Sequence, residues 1–155
     1  MNERIESLRT MGRIVDEPAA DQEVAGVWLN AVEAYEDACL TNRAPNRRLT
    51  AAYDGGRLAA LAVVRATNLR VRAQNHHEVT LAVAGLLVGD ALEILLQKFQ
   101  ERRMDRIQIE YGWAKRATAD EVADAAREVR SILQLAGSWI QGQRAAISAD
   151  ILIPE

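Results

Sequence analysis

Residues 21–39, DQEVAGVWLNAVEAYEDAC, decide the fold class of this chain. Their apolar side chains recur every three or four positions, which is the period of an amphipathic α-helix that buries one face. The stretch around Pro45 ends the pattern, because proline cannot continue a helix interior. The segment therefore predicts a long helix whose buried positions are Val24, Val27, Trp28, Ala31, Val32, Tyr35, Ala38 and Cys39.

The same period occurs on both sides of this segment. In addition to 21–39, helices are expected at residues 5–15, 47–70, 79–111 and 118–140. The helix at 79–111 is expected to bend near Glu101, and Thr118 and Glu121 have the spacing of a capping box that opens the last helix. Gly55 and Gly56 indicate either close approach of a neighbouring backbone or a local kink. No segment predicts a strand.

Four long helices with short connections bury their apolar stripes best as an up-down bundle, so we expect an all-α antiparallel bundle of four to five helices. At 155 residues, 49% of them hydrophobic, the chain is long enough for one core and too short for two ordinary domains. The prediction is a single domain over 1–155, with a bundle core at about 20–145, a short N-terminal helix within 1–18 and a C-terminal tail at 146–155. The apolar residues 151–153 either pack back on the bundle or meet a partner chain.

Composition indicates a cytoplasmic protein. The single cysteine, Cys39, cannot form an internal disulfide, and the charged start at residues 2–13 lacks the apolar region of a secretory signal. The longest apolar stretch, at residues 79–88, is far shorter than the roughly 20 residues that a membrane span requires. No membrane association is expected.

Positive charge is concentrated in two parts of the chain, although the net charge is −3. Residues 43–72 carry seven arginines against the single acid Asp54, and a second basic group follows at residues 98–106. Arginine binds phosphate groups well, and Arg102, Arg103 and Arg106 share one face of a helix. The alternative is a solvated surface whose arginines form ion pairs and cover apolar neighbours.

His76 and His77 are the side chains best suited to acid–base chemistry, because an imidazole titrates near neutral pH. No HxxxH, ExxH or cysteine cluster lies near them, so neither a metal site nor a cofactor is expected, and the alternative is a polar turn at a helix start. Nucleophilic catalysis is not indicated either, because no serine has a histidine near it in sequence and Cys39 lies on an apolar stripe.

Three stretches carry a family resemblance: AAYD at 51–54, LRVRAQNHH at 69–77 and RIQIEYG at 106–112. Together with the helix layout over about 20–145, they resemble the HEPN domains of prokaryotes, in particular the compact single-domain branch. In that branch an arginine is followed by three residues, an acid and a tyrosine ahead of an alanine-rich final helix. Here Arg106, Glu110 and Tyr111 occupy those positions.

Many HEPN proteins are metal-independent endoribonucleases, often toxins that pair with a nucleotidyltransferase antitoxin. They use an arginine followed a few residues later by a histidine, and a dimer brings two such motifs together. This chain departs from that pattern, because residues 107–111 contain no histidine. Arg72 and His77, and likewise Arg70 and His76, have the required spacing one helix earlier.

The resemblance implies a cytoplasmic homodimer that binds RNA or a nucleotide and acts as an endoribonuclease toxin. Its catalytic candidates are His77 as general base, Arg106 as phosphate ligand and Tyr111, which matches a tyrosine that a partner nucleotidyltransferase can modify. The further RNA- or nucleotide-binding candidates are Arg70, Arg72, His76, Arg102, Arg103 and Glu110. One alternative is a non-catalytic helical dimer that docks or assists the nucleotidyltransferase, and another is a structural module whose tail completes a dimer core.

Overall fold

The computed structural model describes residues 2–110 and 116–155, and 76% of the structure is helical, as the all-α prediction requires. Two short strands form a small sheet that the sequence did not predict. The elements in chain order are α1 (Glu3–Thr10), β1 (Ile14–Asp16), α2 (Asp21–Cys39), α3 (Pro45–Ala66), β2 (Leu69–Val71), α4 (His76–Val88), α5 (Asp90–Glu110), α6 (Ala119–Gln143) and a 3₁₀ helix (Ala145–Asp150).

The two strands replace the last turns of two predicted helices. β1 pairs with β2 in antiparallel register, with Ile14 opposite Val71. Just before β1 and β2 lie Gly12 at φ 72° and Asn68 at φ 60°, both in the left-handed region where a helix cannot continue. Ile14 and Val15, which follow Gly12, are β-branched and suit a strand. The expectation that the first helix reaches residue 15 and the third reaches Arg70 is therefore wrong.

The predicted fourth helix, at residues 79–111, is helical but not continuous. It consists of two helices, α4 and α5, joined at Gly89. This glycine has φ 133° and ψ 178°, a backbone conformation that essentially only glycine adopts. A Cβ added at Gly85 would lie only 2.8 Å from the Cα of Glu93, whereas eight residues of straight helix span about 12 Å. α4 and α5 therefore fold back on each other at Gly89, and Glu101 lies within the continuous helix α5.

α2 and α3 run in opposite directions. The Arg48 Nε donates to the carbonyl oxygen of Ala38 over 2.9 Å near one end of the pair. At the other end the Arg65 Nε donates to a carboxylate oxygen of Glu23 over 2.6 Å. Between them a Cβ on Gly55 would lie 3.3 Å from the carbonyl oxygen of α2 residue 31. Close backbone approach, one of the two predicted roles of this glycine, is thus present.

α5 and α6 also run in opposite directions. Arg106 lies 3.5 Å from Glu121 near the start of α6, and Arg102, one turn earlier on α5, lies 3.5 Å from Glu128. Among the residues that the structure describes, no helix is long and apolar enough to cross a membrane.

The C-terminal tail packs back on α2 and α6. The indole N–H of Trp28 donates to the carbonyl oxygen of Leu152 over 2.8 Å, and Ile151 is 1% exposed. A Cβ on Gly137 would lie 2.8 Å from the Ile153 side chain, so the glycine makes room for the tail. We had two expectations for residues 151–153, packing on the bundle or contact with a partner chain. In the structure they pack on the bundle.

One hydrophobic core includes more of the chain than residues 20–145. Ile5 of α1 and Ile14 of β1 are buried in the same cluster as the helix stripes. Ile147 and Ile151 extend it at the C-terminal end. Side chains of this kind each stabilise the fold by about 1.5–3 kcal/mol when fully buried, so both terminal segments contribute to stability.

Alanine at Gly85 tests the helix turn at Gly89. Gly85→Ala should lower the free energy of unfolding by about 1–3 kcal/mol, because the added Cβ meets the backbone of Glu93 and α4 must move away from α5. Gly26→Ala is the control, since no atom lies within 4 Å of its added Cβ, and it should raise stability by roughly 0.5–1 kcal/mol. Chemical denaturation measures both, and equal effects would contradict the close α4–α5 contact.

Candidate functional site

Three helices place basic side chains within electrostatic range of His77. His76 and His77 form the first turn of α4, Arg57 lies on α3, and Arg103 lies on α5. The fold at Gly89 places the start of α4 beside the second half of α5, so that the charge of Arg103 acts on His77. The rings of the two histidines lie 4.0 Å apart between centroids. We call these four residues the His77 cluster.

The environment of His77 favours its neutral form. Partial burial lowers the pKa of the imidazole below its ordinary value of 6.5. The neighbouring His76, Arg57 and Arg103 lower the pKa further, and the carboxylate of Asp54 opposes them. The lowered pKa favours the unprotonated imidazole, which suits a group that accepts a proton next to a bound anion.

Arg57 is the member of this cluster that sequence reasoning missed as a site residue. It lies in the arginine-rich segment, but its spacing from the histidines carries no signal along the chain. Its guanidinium lies 3.8 Å from Asp54 one turn earlier, and its side chain is 26% exposed. Only the packing of α3 against α4 and α5 identifies its role.

Arg106, the arginine of the HEPN-like motif, has a buried side chain that is 4% exposed. It pairs with Glu121, and its Nη2 donates to the Asn46 side-chain oxygen over 3.4 Å. The same oxygen accepts the backbone N–H of Ala117 over 2.7 Å. Glu121 also completes the capping box of Thr118. Arg106 thus ties α5 to the starts of α3 and α6.

Arg102 lies at the edge of a cleft of mixed charge. Its side chain is 52% exposed and lies 3.5 Å from Glu128, whose pKa is raised by burial against the opposing effect of Arg102. The cleft, of about 250 Å³, also contains Arg106 and three carboxylates. These carboxylates belong to Asp105, Glu121 and Asp124. The acids outnumber the two arginines, which makes this cleft less suitable for a phosphate than the His77 cluster.

The arginines near β2 have different environments. Arg65 is 7% exposed and donates to Glu23 and to the backbone oxygens of Glu17 and Leu69, so it holds the fold together. Arg70 is 57% exposed and pairs with Glu17 over 2.8 Å, which lowers the pKa of that carboxyl. Arg70 shares a cleft of about 350 Å³ with His76. Arg72 is exposed.

The last part of the motif lies at the edge of what the structure describes. Tyr111 lies outside the described residues, and so does the side chain of Glu110 at the end of α5. Within residues 2–110 and 116–155, no group of three or more histidine, cysteine or acidic side chains is arranged to hold a metal ion. Comparisons of the chain with models of protein families, with curated proteins and with solved structures find no match.

The structural role of Arg106 predicts a stability effect. Arg106→Ala should lower the free energy of unfolding by roughly 2 kcal/mol, because Asn46 and Glu121 lose charge-assisted bonds in a buried place. Arg127→Ala is the control, since Arg127 is 60% exposed and pairs with Asp124 on its own helix. It should change stability by less than about 1 kcal/mol. Equal losses in urea titrations would contradict the assignment.

The charge environment of His77 predicts its titration. In an NMR pH titration the pKa of His77 should lie below 6.5. Arg103→Gln should raise it and Arg127→Gln should leave it unchanged. Because the folded-state pKa is lowered, the native state binds fewer protons than the unfolded chain. The stability that neutral His77 contributes is therefore present above the unfolded-state pKa and lost as the pH falls through the folded-state pKa. A His77 pKa unaffected by Arg103→Gln would show that the two side chains are not close.

Proposed function

We propose that this chain is a HEPN-like RNA- or nucleotide-binding domain that acts as a metal-independent endoribonuclease, with its phosphodiester site at the His77 cluster. The observation that supports this most is that the charges of Arg57 and Arg103, on two different helices, act on a half-buried histidine and help to lower its pKa. A neutral imidazole accepts a proton, and guanidinium groups bind the phosphate beside it.

In the proposed reaction each group of the cluster has one task. Neutral His77 takes the proton of a ribose 2′-hydroxyl, and the freed oxygen attacks the neighbouring phosphorus. Arg57 and Arg103 stabilise the charge of the pentacoordinate phosphate. The bond from phosphorus to the 5′ oxygen breaks, and this oxygen takes a proton from His76 or from water. The products are a 2′,3′-cyclic phosphate and a 5′-hydroxyl, and no metal takes part.

The proposal includes a HEPN-like up-down bundle of α2, α3, α5 and α6. Opposite chain directions in the pairs α2–α3 and α5–α6 support this arrangement. Two contacts support opposite directions for α2 and α6 as well. Trp28, in the middle of α2, approaches Gly137 of α6, and Asp21, at the start of α2, forms an ion pair with Arg144 just beyond the end of α6. The cytoplasmic homodimer and the nucleotidyltransferase antitoxin rest on the family resemblance.

The second candidate function is a non-catalytic dimer that docks or assists a partner nucleotidyltransferase. It is favoured by the burial of Arg106, because a guanidinium that is 4% exposed and bonded to Asn46 and Glu121 does not contact a substrate. In this function Arg106 would fix the end of α5 that leads to Tyr111, the residue that the partner would modify.

Cleavage of a mixed RNA pool by purified protein in EDTA tests the proposal. The wild-type chain should cleave RNA, and His77→Asn should reduce the rate by about 10²–10⁴-fold because the general base is lost. Arg103→Ala should reduce the rate by about 10²-fold or more. Arg127→Ala, which removes an exposed arginine elsewhere, should keep the wild-type rate. Cleavage that survives both His77→Asn and Arg103→Ala would contradict this site.

RNA binding measured at several salt concentrations separates the two candidates. Salt-sensitive binding that requires Arg57 and Arg103, without any cleavage, would support the non-catalytic function. Nucleotide transfer to Tyr111 by a co-expressed nucleotidyltransferase would support it directly. Absence of binding, cleavage and transfer would contradict both and favour a structural module.

A further inference from the structure

An apolar cavity of about 290 Å³ lies in the groove between α4 and α5. Its walls come from both helices, with Leu81 and Leu86 on α4 and Leu96 on α5. Leu81 and Leu96 are 4% and 2% exposed, whereas Ala82 and Gln97, which also line the cavity, are exposed. The cavity therefore opens to solvent. It is separate from the His77 cluster, because none of the four residues of that cluster lines it.

Acidic side chains predominate among the charged groups that line this cavity. Glu78 of α4 and Glu93 and Glu101 of α5 line it, against the single guanidinium of Arg4 from α1. Arg4 pairs with Glu93 over 3.3 Å. Glu78 accepts only a hydrogen bond from the neutral amide of Asn75, and within residues 2–110 and 116–155 no cation pairs with Glu78 or Glu101. The cavity therefore keeps two exposed negative charges at its rim.

These two carboxylates lie at the same end of the hairpin. Glu78 lies eleven residues before Gly89, and Glu101 lies twelve residues after it, so the chain reversal places them at similar levels. Leu81 and Leu96 lie eight and seven residues from Gly89, about one helical turn nearer the reversal. A matching partner must therefore present an apolar group about 5 Å along the groove from a cation.

The short helix α1 already binds at this rim in a similar way. Both Nη atoms of Arg4 donate to one carboxylate oxygen of Glu93 over 3.3 Å. The next residue, Ile5, is 1% exposed and belongs to the hydrophobic core. One helix thus combines a cation on a carboxylate of the rim with an apolar side chain in the protein interior.

We propose that the groove between α4 and α5 docks a basic amphipathic helix of a partner protein. Its apolar side chains enter the cavity, and its lysines or arginines pair with Glu78 and Glu101. A groove between two helices accepts a third helix, and positions three or four apart place an anchor one turn from a cation. The apolar walls supply binding energy, and the acidic rim selects a basic partner over an acidic one. This inference does not rest on the proposed ribonuclease function, because the cavity contains no residue of the His77 cluster.

Titration of the ¹⁵N-labelled full chain with synthetic helical peptides is the test. The first peptide carries two leucines one turn apart, each with a lysine one turn away. The NMR signals of Ala82 and Gln97 should shift as it binds. A peptide with glutamates in place of the lysines should bind at least about tenfold more weakly. A peptide with alanines in place of the leucines should also bind about tenfold or more weakly. Added salt should weaken binding of the lysine peptide, because it screens the rim charges.

Neutral substitutions at the rim test the charge pairing. The double variant Glu78→Gln, Glu101→Gln should bind the lysine peptide about three- to tenfold more weakly, because two exposed ion pairs are lost. The control is the double variant Glu33→Gln, Glu36→Gln, which removes the same charge from exposed positions of α2 outside the cavity. It should bind the peptide as the wild type does.

Filling the cavity tests the apolar anchor. Ala82→Trp should abolish binding of the lysine peptide, because the indole takes the place of the leucines. Ala91→Trp, at an exposed position of α5 outside the cavity, should keep the affinity, and both variants should melt near the wild-type temperature. No binding of the lysine peptide, equal binding of the glutamate peptide, or affinity unaffected by both the rim variant and Ala82→Trp would overturn the inference. Signals of Ala82 and Gln97 that shift with protein concentration alone would place a second copy in the groove and would also overturn it.

Discussion

The turn at Gly89 is the constraint on which both the His77 cluster and the cavity of about 290 Å³ between α4 and α5 depend. Its backbone, at φ 133° and ψ 178°, is essentially accessible only to glycine, and it reverses the chain between α4 and α5 without any loop. Gly85 has no Cβ, so α4 can lie closer to the backbone of Glu93 on α5 than a larger residue at this position would allow. With this reversal Arg103 acts on His77, and Gln100 joins the α4 leucines around one cavity. A straight helix would separate all of these side chains.

Arginines in this protein have two distinct roles that charge counts along the sequence do not separate. Arg65 and Arg106 are buried, and each joins three segments of the chain through several acceptors. A buried guanidinium is tolerated only where its donors are satisfied, so these two arginines belong to the fold. Arg57 and Arg103 are more exposed, and their charges act on His77.

The His77 cluster and the α4–α5 cavity are adjacent along the hairpin but opposite in charge. His77 belongs to the basic cluster, and the next residue, Glu78, lines the acidic cavity. On α5, likewise, Arg103 belongs to the His77 cluster and Glu101 lines the cavity.

The sequence by itself determined the mostly helical class, the helix at 21–39 and the capped start of α6, because these depend on local period and capping. It also indicated His77 and Arg103 as candidate site residues, from the chemistry of their side chains and from the family resemblance. The strand pair, the reversal at Gly89 and the burial of Arg106 were decided only in the tertiary structure. Strand pairing joins segments more than fifty residues apart, and the burial of a side chain depends on partners from other helices. Neither leaves a local pattern in the sequence, and for the same reason Arg57 was not recognised from it.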